Sequence, residues 1–176
     1  MRPRVLSRLR VFPAQTFLLC IRAELENIER IEIPEDAEFV LTLKNPSSDD
    51  TREGVVVSPL EEVELSNSRG TANLALKWAK DARGEASLTV KRLKGVTRPY
   101  EAEDGPAYVP VAAFECRGLE PVGWEPREAF TLVAPSGTRW EDADLSAGEW
   151  SEYDEKADEA VSVMNLEWKF QVHREK

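Results

Sequence analysis

The chain has 176 residues, 33 acidic and 23 basic, with a formal net charge of -10, two cysteines and one histidine. This length fits one domain or two small ones with a substantial core. Two cysteines exclude a disulfide framework and a four-thiolate zinc site, and a lone His173 argues against a histidine-based triad or metal centre. The acidic balance argues against nucleic acid as the main partner, and no apolar run reaches the roughly eighteen residues of a membrane span.

The charge is unevenly distributed along the chain. Residues 1–23 hold five arginines and no acid, so they carry +5 and the remainder carries -15. An acid-free, arginine-rich start with apolar residues on one helical face is typical of a mitochondrial transit peptide, although Pro3 and Pro13 restrict any helix to a short middle section. A disordered extension ahead of the folded part fits the same composition, and we favour it. Residues 1–16 are thus predicted to be a basic extension, disordered or targeting.

Apolar residues recur with period two in segment after segment, which is the pattern of β-strands. The longest alternation places one set on a single predicted buried face: Ala160, Ser162, Met164, Leu166, Trp168, Phe170 and Val172. Shorter alternations occupy residues 21–25, 39–43, 72–78, 86–90 and 130–132. Stretches rich in Gly, Pro, Asn and Ser separate them. The sequence therefore predicts an all-β fold of the sandwich or barrel type.

The two halves of the chain resemble each other at a shift of about 90 residues. Residues 24–29 align with residues 115–120, and Trp78 aligns with Trp168. This internal repeat predicts two related β-barrel or sandwich-like units. The predicted units are residues 17–94 and 95–176.

Five motifs carry a resemblance to a known family. They are Leu25–Ile28, Arg69–Ala72, Pro99–Asp104, Phe114–Pro121 and Trp150–Ala157. Together they closely resemble the eukaryotic CXXC-motif-containing zinc-binding protein family over about residues 18 to 172. The resemblance implies an all-β fold of two related barrel-like units in a small, soluble, mostly cytosolic protein. It implies no known enzymatic activity. Because the family is mostly cytosolic, we predict a cytoplasmic protein, with a mitochondrial location as the alternative if residues 1–16 are a transit peptide.

The family carries two Cys-x-x-Cys pairs in its first half, four thiolates that can close a structural zinc site. By alignment these pairs fall at Asn45 and Ser48 and at Trp78 and Asp81. Asparagine, serine and tryptophan are not useful zinc ligands, and one carboxylate cannot hold the ion there. We therefore predict that the chain binds no zinc and no other cofactor, and that the buried Trp78 indole replaces the area that a metal would organise.

Residues 141–159 hold nine acids and one lysine. Carboxylates at this density can bind Ca²⁺. The EF-hand template fails, however, because Ala147 stands where glycine is needed and Tyr153 where glutamate is needed. We favour a solvated acidic loop that contacts a basic partner.

Cys116 lies beside Arg117, whose charge would lower the pKa of a reactive thiol. The alternation instead places Cys116 on an apolar face, which favours a buried and inert thiol, and Cys20 is interpreted in the same way. A disulfide between the two is disfavoured in the cytosol. Glu115 and Arg117 share the opposite face, where they can pair with each other or with Glu120.

The five tryptophans divide into two predicted groups. Trp78 and Trp168 lie on apolar faces and are predicted to be in the core. Trp124, Trp140 and Trp150 lie near glycine, proline and acids, and are predicted to be partly exposed. Exposed indoles can stack on sugar rings, but they more often anchor a protein partner.

These observations predict a non-catalytic interaction or scaffold module of the family that has lost its zinc site. One alternative is a metal-linked role retained through other ligands, and a weaker one is an enzyme that uses the acidic cluster. The predicted partner is a protein with a basic surface, not nucleic acid or a membrane. The candidate interaction or structural residues are Glu115, Arg117, Glu120, Trp150, Tyr153 and Asp154.

Overall fold

The computed structural model describes residues 13–66, 68–80, 82 and 84–175. Its first strands are β1 Gln15–Glu26, β2 Arg30–Glu32, β3 Phe39–Lys44, β4 Thr51–Val57, β5 Val63–Glu64, β6 Thr71–Ala72, β7 Leu74–Leu76 and β8 Ala86–Lys91. The later strands are β9 Tyr100–Glu101, β10 Val109–Arg117, β11 Glu120–Glu125, β12 Phe130–Val133, β13 Arg139–Ala143, β14 Trp150–Asp154 and β15 Glu159–His173. The described residues form no α-helix, only a short 3-10 turn at Ala102–Asp104. The predicted all-β class is confirmed.

Four sheets organise these strands. The largest has six strands in the order β14-β15-β1-β10-β8-β7. A three-stranded sheet, β11-β3-β4, and a four-stranded sheet, β13-β12-β2-β9, accompany it, and β5 pairs with β6. One hydrophobic core joins the large sheet to the two smaller ones, because apolar side chains of all three belong to one buried cluster.

The central strand β1 is buried on both faces at its start. Leu19 and Ile21 belong to the main core, whereas Leu18 and Cys20 belong to a second cluster with Ala113 on the opposite face. Antiparallel pairing with β10 on one side and β15 on the other satisfies the backbone of β1. The unbroken apolar run of residues 17–21 follows from this central position, since a strand covered on both faces needs no polar alternation.

A β-bulge in β15 corrects the prediction of one continuous buried face. The pairing register between β1 and β15 shifts between Arg22 and Glu24, and Asn165 has a left-handed φ of 52°. Before the bulge Val161 and Val163 are buried, and Ala160 and Met164 are exposed. After the bulge the predicted face is correct for Leu166, Trp168 and Phe170, which pack against the core. The extra residue moves the side chains before it to the opposite face.

The internal repeat is not confirmed and stays a prediction. The strand order is nevertheless symmetric about the β1–β10 pair, with β15 and β14 on one side and β8 and β7 on the other. Strands from both halves of the chain share each of the three larger sheets, since β11 joins β3 and β4 while β2 joins β12 and β13.

The predicted N-terminal extension falls largely outside the described residues, because residues 1–12 are not among them. The strand β1 begins at Gln15, within the last positions assigned to that extension. The described residues contain no helix long and apolar enough to cross a membrane.

Candidate functional site

The loop between β3 and β4 contains Asn45 and Ser48, the first two of the four positions at which the family resemblance places cysteine ligands. Asn45 Oδ1 accepts the backbone N–H of Ser47 at 3.0 Å, and Ser48 Oγ accepts that of Asp50 at 3.2 Å. The backbone N–H of Asn45 donates to the carbonyl of Asp50 at 2.9 Å. Both side chains therefore close a hydrogen-bonded turn, which is a common use of asparagine and serine in loops.

Trp78, the third predicted ligand position, follows β7 and lies half-buried against the main core. Its indole Nε1 donates a hydrogen bond of 2.9 Å to the carbonyl of Gly118. Gly118 adopts a left-handed φ of 67° in the turn between β10 and β11. Trp78 therefore connects the loop after β7 to the motif of residues 114–121, and its predicted packing against the core is confirmed.

Arg52, on β4, covers the other side of Trp78. Its guanidinium carbon lies 5.3 Å from the centre of the indole ring, a cation–π distance. Its Nη2 donates to the carbonyl of Lys77 at 2.7 Å and lies 3.4 Å from the carbonyl of Trp78. One arginine thus links the β3–β4 hairpin to the loop after β7, the two segments that carry the predicted ligand positions.

The fourth predicted ligand position, Asp81, lies outside the described residues. Across the residues that the structure describes, no three or more His, Cys, Asp and Glu side chains are grouped so that they could hold a metal ion. The predicted calcium alternative for residues 141–159 therefore gains no support from their geometry.

The motif of residues 114–121 forms the end of β10, a tight turn and the start of β11. Cys116 is 1% exposed, and burial raises the pKa of its thiol, with Glu115 and Glu120 adding to the rise. Burial also raises the pKa of Cys20, and both cysteines are free. The prediction that both thiols are buried is confirmed. Within the described chain Arg117 forms no ion pair with Glu115 or Glu120, so the predicted pairing is not found.

The tryptophans predicted to be partly exposed differ from one another. Trp124 is only 7% exposed and packs edge-on against Phe130 and Trp168, so the prediction was wrong for this residue. Its neighbours Gly123 and Glu125 are typical of exposed segments, but aromatic rings from other strands bury Trp124. Trp140 and Trp150 are half-buried and contact each other edge to face at 5.3 Å.

Asp154 is the buried member of the candidate set, with 1% exposure. Its carboxylate accepts Ser136 Oγ at 2.5 Å and Thr138 Oγ1 at 2.8 Å, and it accepts the backbone N–H of Lys156 at 3.1 Å. These hydrogen bonds hold the pKa of Asp154 below its ordinary value, with the Ser136 hydroxyl the largest cause. Asp154 therefore ties the β12–β13 turn to the β14–β15 turn.

Around Asp154 the acidic run forms an exposed surface, which we call the acidic surface and define as residues 141–159. Most of its carboxylates are exposed: Glu141, Asp142, Asp144, Glu149, Glu152, Glu155 and Asp158. Tyr153 is 50% exposed and donates a hydrogen bond to Asp158, which raises the pKa of the phenol. The β14 strand of this surface is an edge strand, so nothing in the sheet covers it on one side.

The sequence alone did not single out Arg52, Ser136 or Thr138. Each acts through a partner distant in sequence, Trp78 for Arg52 and Asp154 for the two hydroxyls. The candidate residues themselves divide into two places. Glu115, Arg117 and Glu120 flank the Gly118 turn, whereas Trp150, Tyr153 and Asp154 lie together on β14.

Fold and site together describe a small all-β protein in which side chains connect two turns, one after β3 and one after β7. Several known proteins are similar to this chain in sequence. The human CXXC motif containing zinc binding protein is 33% identical over 155 residues, covering 86% of this chain and 95% of the human one. A UPF0587 protein of Dictyostelium discoideum is 30% identical over 152 residues, with 85% and 92% covered.

Two solved structures share the fold. A hypothetical protein from Plasmodium falciparum gives a TM-score of 0.83 at 28% identity, covering 89% of this chain and 99% of the other. The structure of C1orf123 gives 0.80 at 31% identity, covering 90% and 99%. The model of the eukaryotic CXXC motif containing zinc binding protein family matches residues 18–171. The chain belongs to this family, as its motifs predicted.

Proposed function

We propose that this chain is a non-catalytic protein-interaction module that keeps the fold of its family without a zinc ion. The observation that carries the proposal is the environment of Trp78. Trp78 stands where the family resemblance places a metal ligand. Its indole donates a hydrogen bond to the carbonyl of Gly118 and lies beneath the guanidinium of Arg52. A tryptophan and an arginine would then connect the two loops that four thiolates connect in zinc-bearing relatives.

The donor set argues against zinc at this place. Zinc in proteins is bound by thiolate, imidazole or carboxylate. Asn45 and Ser48 use their oxygens to accept backbone N–H groups, and the Trp78 nitrogen is a donor, so these three residues do not fit the ion. The positive charge of Arg52 between the two loops adds electrostatic repulsion for a second cation.

Two features support a role without catalysis. Both thiols are buried with a raised pKa, so neither is poised as a thiolate nucleophile. Two cavities of about 280 Å³ each lie among the described residues, and their lining brings no two carboxylates together as an acid–base pair.

The acidic surface supports the choice of partner. Seven exposed carboxylates lie in the same segment as Trp150 and the half-exposed Tyr153, and Trp150 contacts Trp140, both indoles being half-buried against the main core. Aromatic anchors inside a charged rim are the usual composition of an interaction site. The charge selects a basic partner and speeds encounter with it. The proposal includes a cytoplasmic location, where two free thiols stay reduced.

The proposal is tested by affinity capture from cells of the native source, with two variants of equal charge. In the first, Glu149, Glu152 and Glu155 of the acidic surface become glutamine. In the control, the exposed Glu53, Glu62 and Glu64 become glutamine. We expect a stoichiometric partner with the unchanged protein and the control, lost with the first variant and lost at high salt because exposed charges are screened. Equal capture by all three proteins, or turnover of a substrate by the purified chain, would contradict the proposal.

A further inference from the structure

The segment from residue 91 to residue 98 is positively charged, whereas the whole molecule is negatively charged. In a chain of net charge -10, residues 86–100 contain four cations and no acid. The cations are Lys91, Arg92, Lys94 and Arg98, and all four are exposed. Lys91 is the last residue of β8, and the other three follow it on the way to β9. Exposed charges beyond about 10 Å are largely screened at physiological salt, so the distant acids leave a locally positive surface here.

Two cavities of about 280 Å³ each lie along this segment. They share Ile33, Arg92 and Val111, so they form one continuous groove, which we call the basic groove. Pro59 and Val90 add apolar surface to one end, and the other end is lined by these residues: Leu93, Lys94, Thr97, Arg98 and Pro99. The floor of the groove is apolar, and its rim carries these cations together with one exposed carboxylate, Glu35.

The cations of the rim are unequally engaged. Arg98 forms a bidentate ion pair with Asp104, with both distances 2.7 Å. Arg92 donates to the backbone carbonyl of Ile33 at 3.0 Å, which fixes it across the groove without neutralising it. Within the described part of the chain Lys91, Arg92 and Lys94 have no carboxylate partner in an ion pair. Three positive charges are therefore available to a ligand.

We propose that the basic groove binds an acidic, extended segment of a partner protein, with an apolar side chain of that segment on the groove floor. The apolar floor gains affinity from burying such a side chain, at about 25 cal/mol per Å². The three available cations give charge complementarity to carboxylates on either side of it. This site is separate in residues and opposite in charge from the acidic surface, so it goes beyond the function proposed above.

Other ligands fit the groove less well. A small anion needs donors that converge on one point, whereas Lys91 lines one cavity and Lys94 the other. Single-stranded nucleic acid needs exposed aromatic rings for base stacking, and the aromatic ring in the described lining, Phe39, is only 4% exposed. Two copies of this chain, each with a net charge of -10, repel each other. A short acidic segment is therefore the occupant that the groove favours.

The test measures fluorescence anisotropy with a labelled peptide in which four glutamates lie on each side of one leucine. The groove variant changes Lys91, Arg92 and Lys94 to glutamine, and the control variant changes the exposed Lys77, Lys80 and Lys156 to glutamine. Both variants carry the same net charge, so long-range electrostatics cancel in the comparison. We expect the groove variant to lose affinity at least tenfold and the control to lose less than twofold.

A peptide with serine in place of leucine separates apolar docking from charge alone, and we expect it to bind at least fivefold more weakly. If the groove variant does not fold, the double variant Lys91→Gln with Lys94→Gln, compared with Lys77→Gln with Lys80→Gln, gives the same equal-charge comparison, because all four side chains are exposed. Equal loss in groove and control variants, no binding by the unchanged protein, full displacement by equimolar inorganic phosphate, or a dimer that only the groove variant abolishes would each overturn the proposal.

Discussion

Trp78 contacts two segments that are distant from it in sequence, one through its indole nitrogen and one through the face of its ring. The hydrogen bond to Gly118 and the guanidinium of Arg52 lie on different parts of the same side chain. A half-buried indole with a satisfied nitrogen contributes apolar area at little polar cost. The function proposed above gives this side chain the role of holding the two loops together.

Truncation of Trp78 measures this contribution. We expect Trp78→Ala to lower the free energy of unfolding by about 2 to 3 kcal/mol, below the full range for core tryptophans because the ring is half-buried. Trp78→Phe removes chiefly the hydrogen bond and should cost about 1 kcal/mol. Urea unfolding followed by circular dichroism gives both values. Lys80→Ala, at a nearby exposed position, is the control, and a Trp78→Ala cost no larger than this control would contradict the role of Trp78 in holding the two loops together.

Coupling between Arg52 and Trp78 is a separate prediction. The double-mutant cycle of Arg52→Ala and Trp78→Ala should give a coupling free energy of about 0.5 to 1 kcal/mol, because the cation–π contact and the carbonyl hydrogen bonds are partly exposed. Denaturant titration of the four proteins provides the measurement. Additive effects would mean that the two side chains stabilise the protein independently.

Asp154 gives the protein a pH-dependent element. The pKa of Asp154 is lower in the folded protein than in the unfolded chain. Its ionised carboxylate therefore contributes fully to the free energy of unfolding above the unfolded-state pKa, and this contribution disappears as the pH falls through the folded-state pKa. We expect Asp154→Asn to lower Tm at pH 7, and the gap to the unchanged protein to narrow as the pH falls below about 4. Glu155→Gln, its exposed neighbour, is the control. A gap that stays constant from pH 7 to pH 2 would show that the charge of Asp154 does not matter.

At the scale of the elements, the bulge in β15 decides which residues are buried. Asn165 accepts the left-handed conformation that the bulge needs, and its side chain donates to Glu24 at 3.1 Å. Alternation in the sequence predicts the strand, and after the bulge it predicts the face correctly for Leu166, Trp168 and Phe170, whereas Val172 is exposed. Asparagine is depleted in strands and tolerates positive φ, so Asn165 is compatible with a bulge, but the alternation alone does not predict that the buried face reverses there.

Substitution at Asn165 tests the requirement for the bulge. We expect Asn165→Val to cost about 1 to 2 kcal/mol, because a β-branched residue is strained at positive φ. Asn165→Gly tolerates the conformation and should cost less, although it also loses the hydrogen bond to Glu24. Thermal unfolding of both variants distinguishes them. A valine variant as stable as the glycine variant would mean that β15 can pair without the bulge.

The elements that sequence reasoning predicted best are the core strands, where Phe39, Leu41 and Leu43 are all buried as their spacing requires. The same reasoning predicted Trp124 to be partly exposed, because glycine and proline lie near it in sequence. The rings of Phe130 and Trp168 that cover it belong to other strands, so local composition does not indicate them. The absence of cysteine at the four positions where the family resemblance places its zinc ligands is visible in the sequence. The contact between Arg52 and Trp78 could not be predicted, since it joins two segments that are distant in sequence.

At the scale of the whole molecule, the two halves share their sheets. The strand β1 pairs with β10 and with β15, both from the second half of the chain. The hairpin of β3 and β4 is extended by β11, again from the second half. Removal of one half therefore exposes long strand edges and opens the main core.

A fragment of residues 17–94 tests this dependence. We expect it to lack a cooperative unfolding transition and to give a poorly dispersed NMR spectrum, because β1 has lost both of its neighbours. Mixing it with residues 95–176 should restore a folded complex. Independent cooperative folding of residues 17–94 would instead indicate two autonomous units.

The central claim is that this family member holds its fold through Trp78 and Arg52 without zinc, and metal analysis tests it most directly. The protein is expressed in zinc-supplemented medium, purified without chelator and analysed by inductively coupled plasma mass spectrometry, with the human relative treated in parallel. The account predicts no stoichiometric zinc in this chain and no change in its Tm on addition of EDTA. One tightly bound zinc per chain, or a Tm lowered by EDTA, would contradict it.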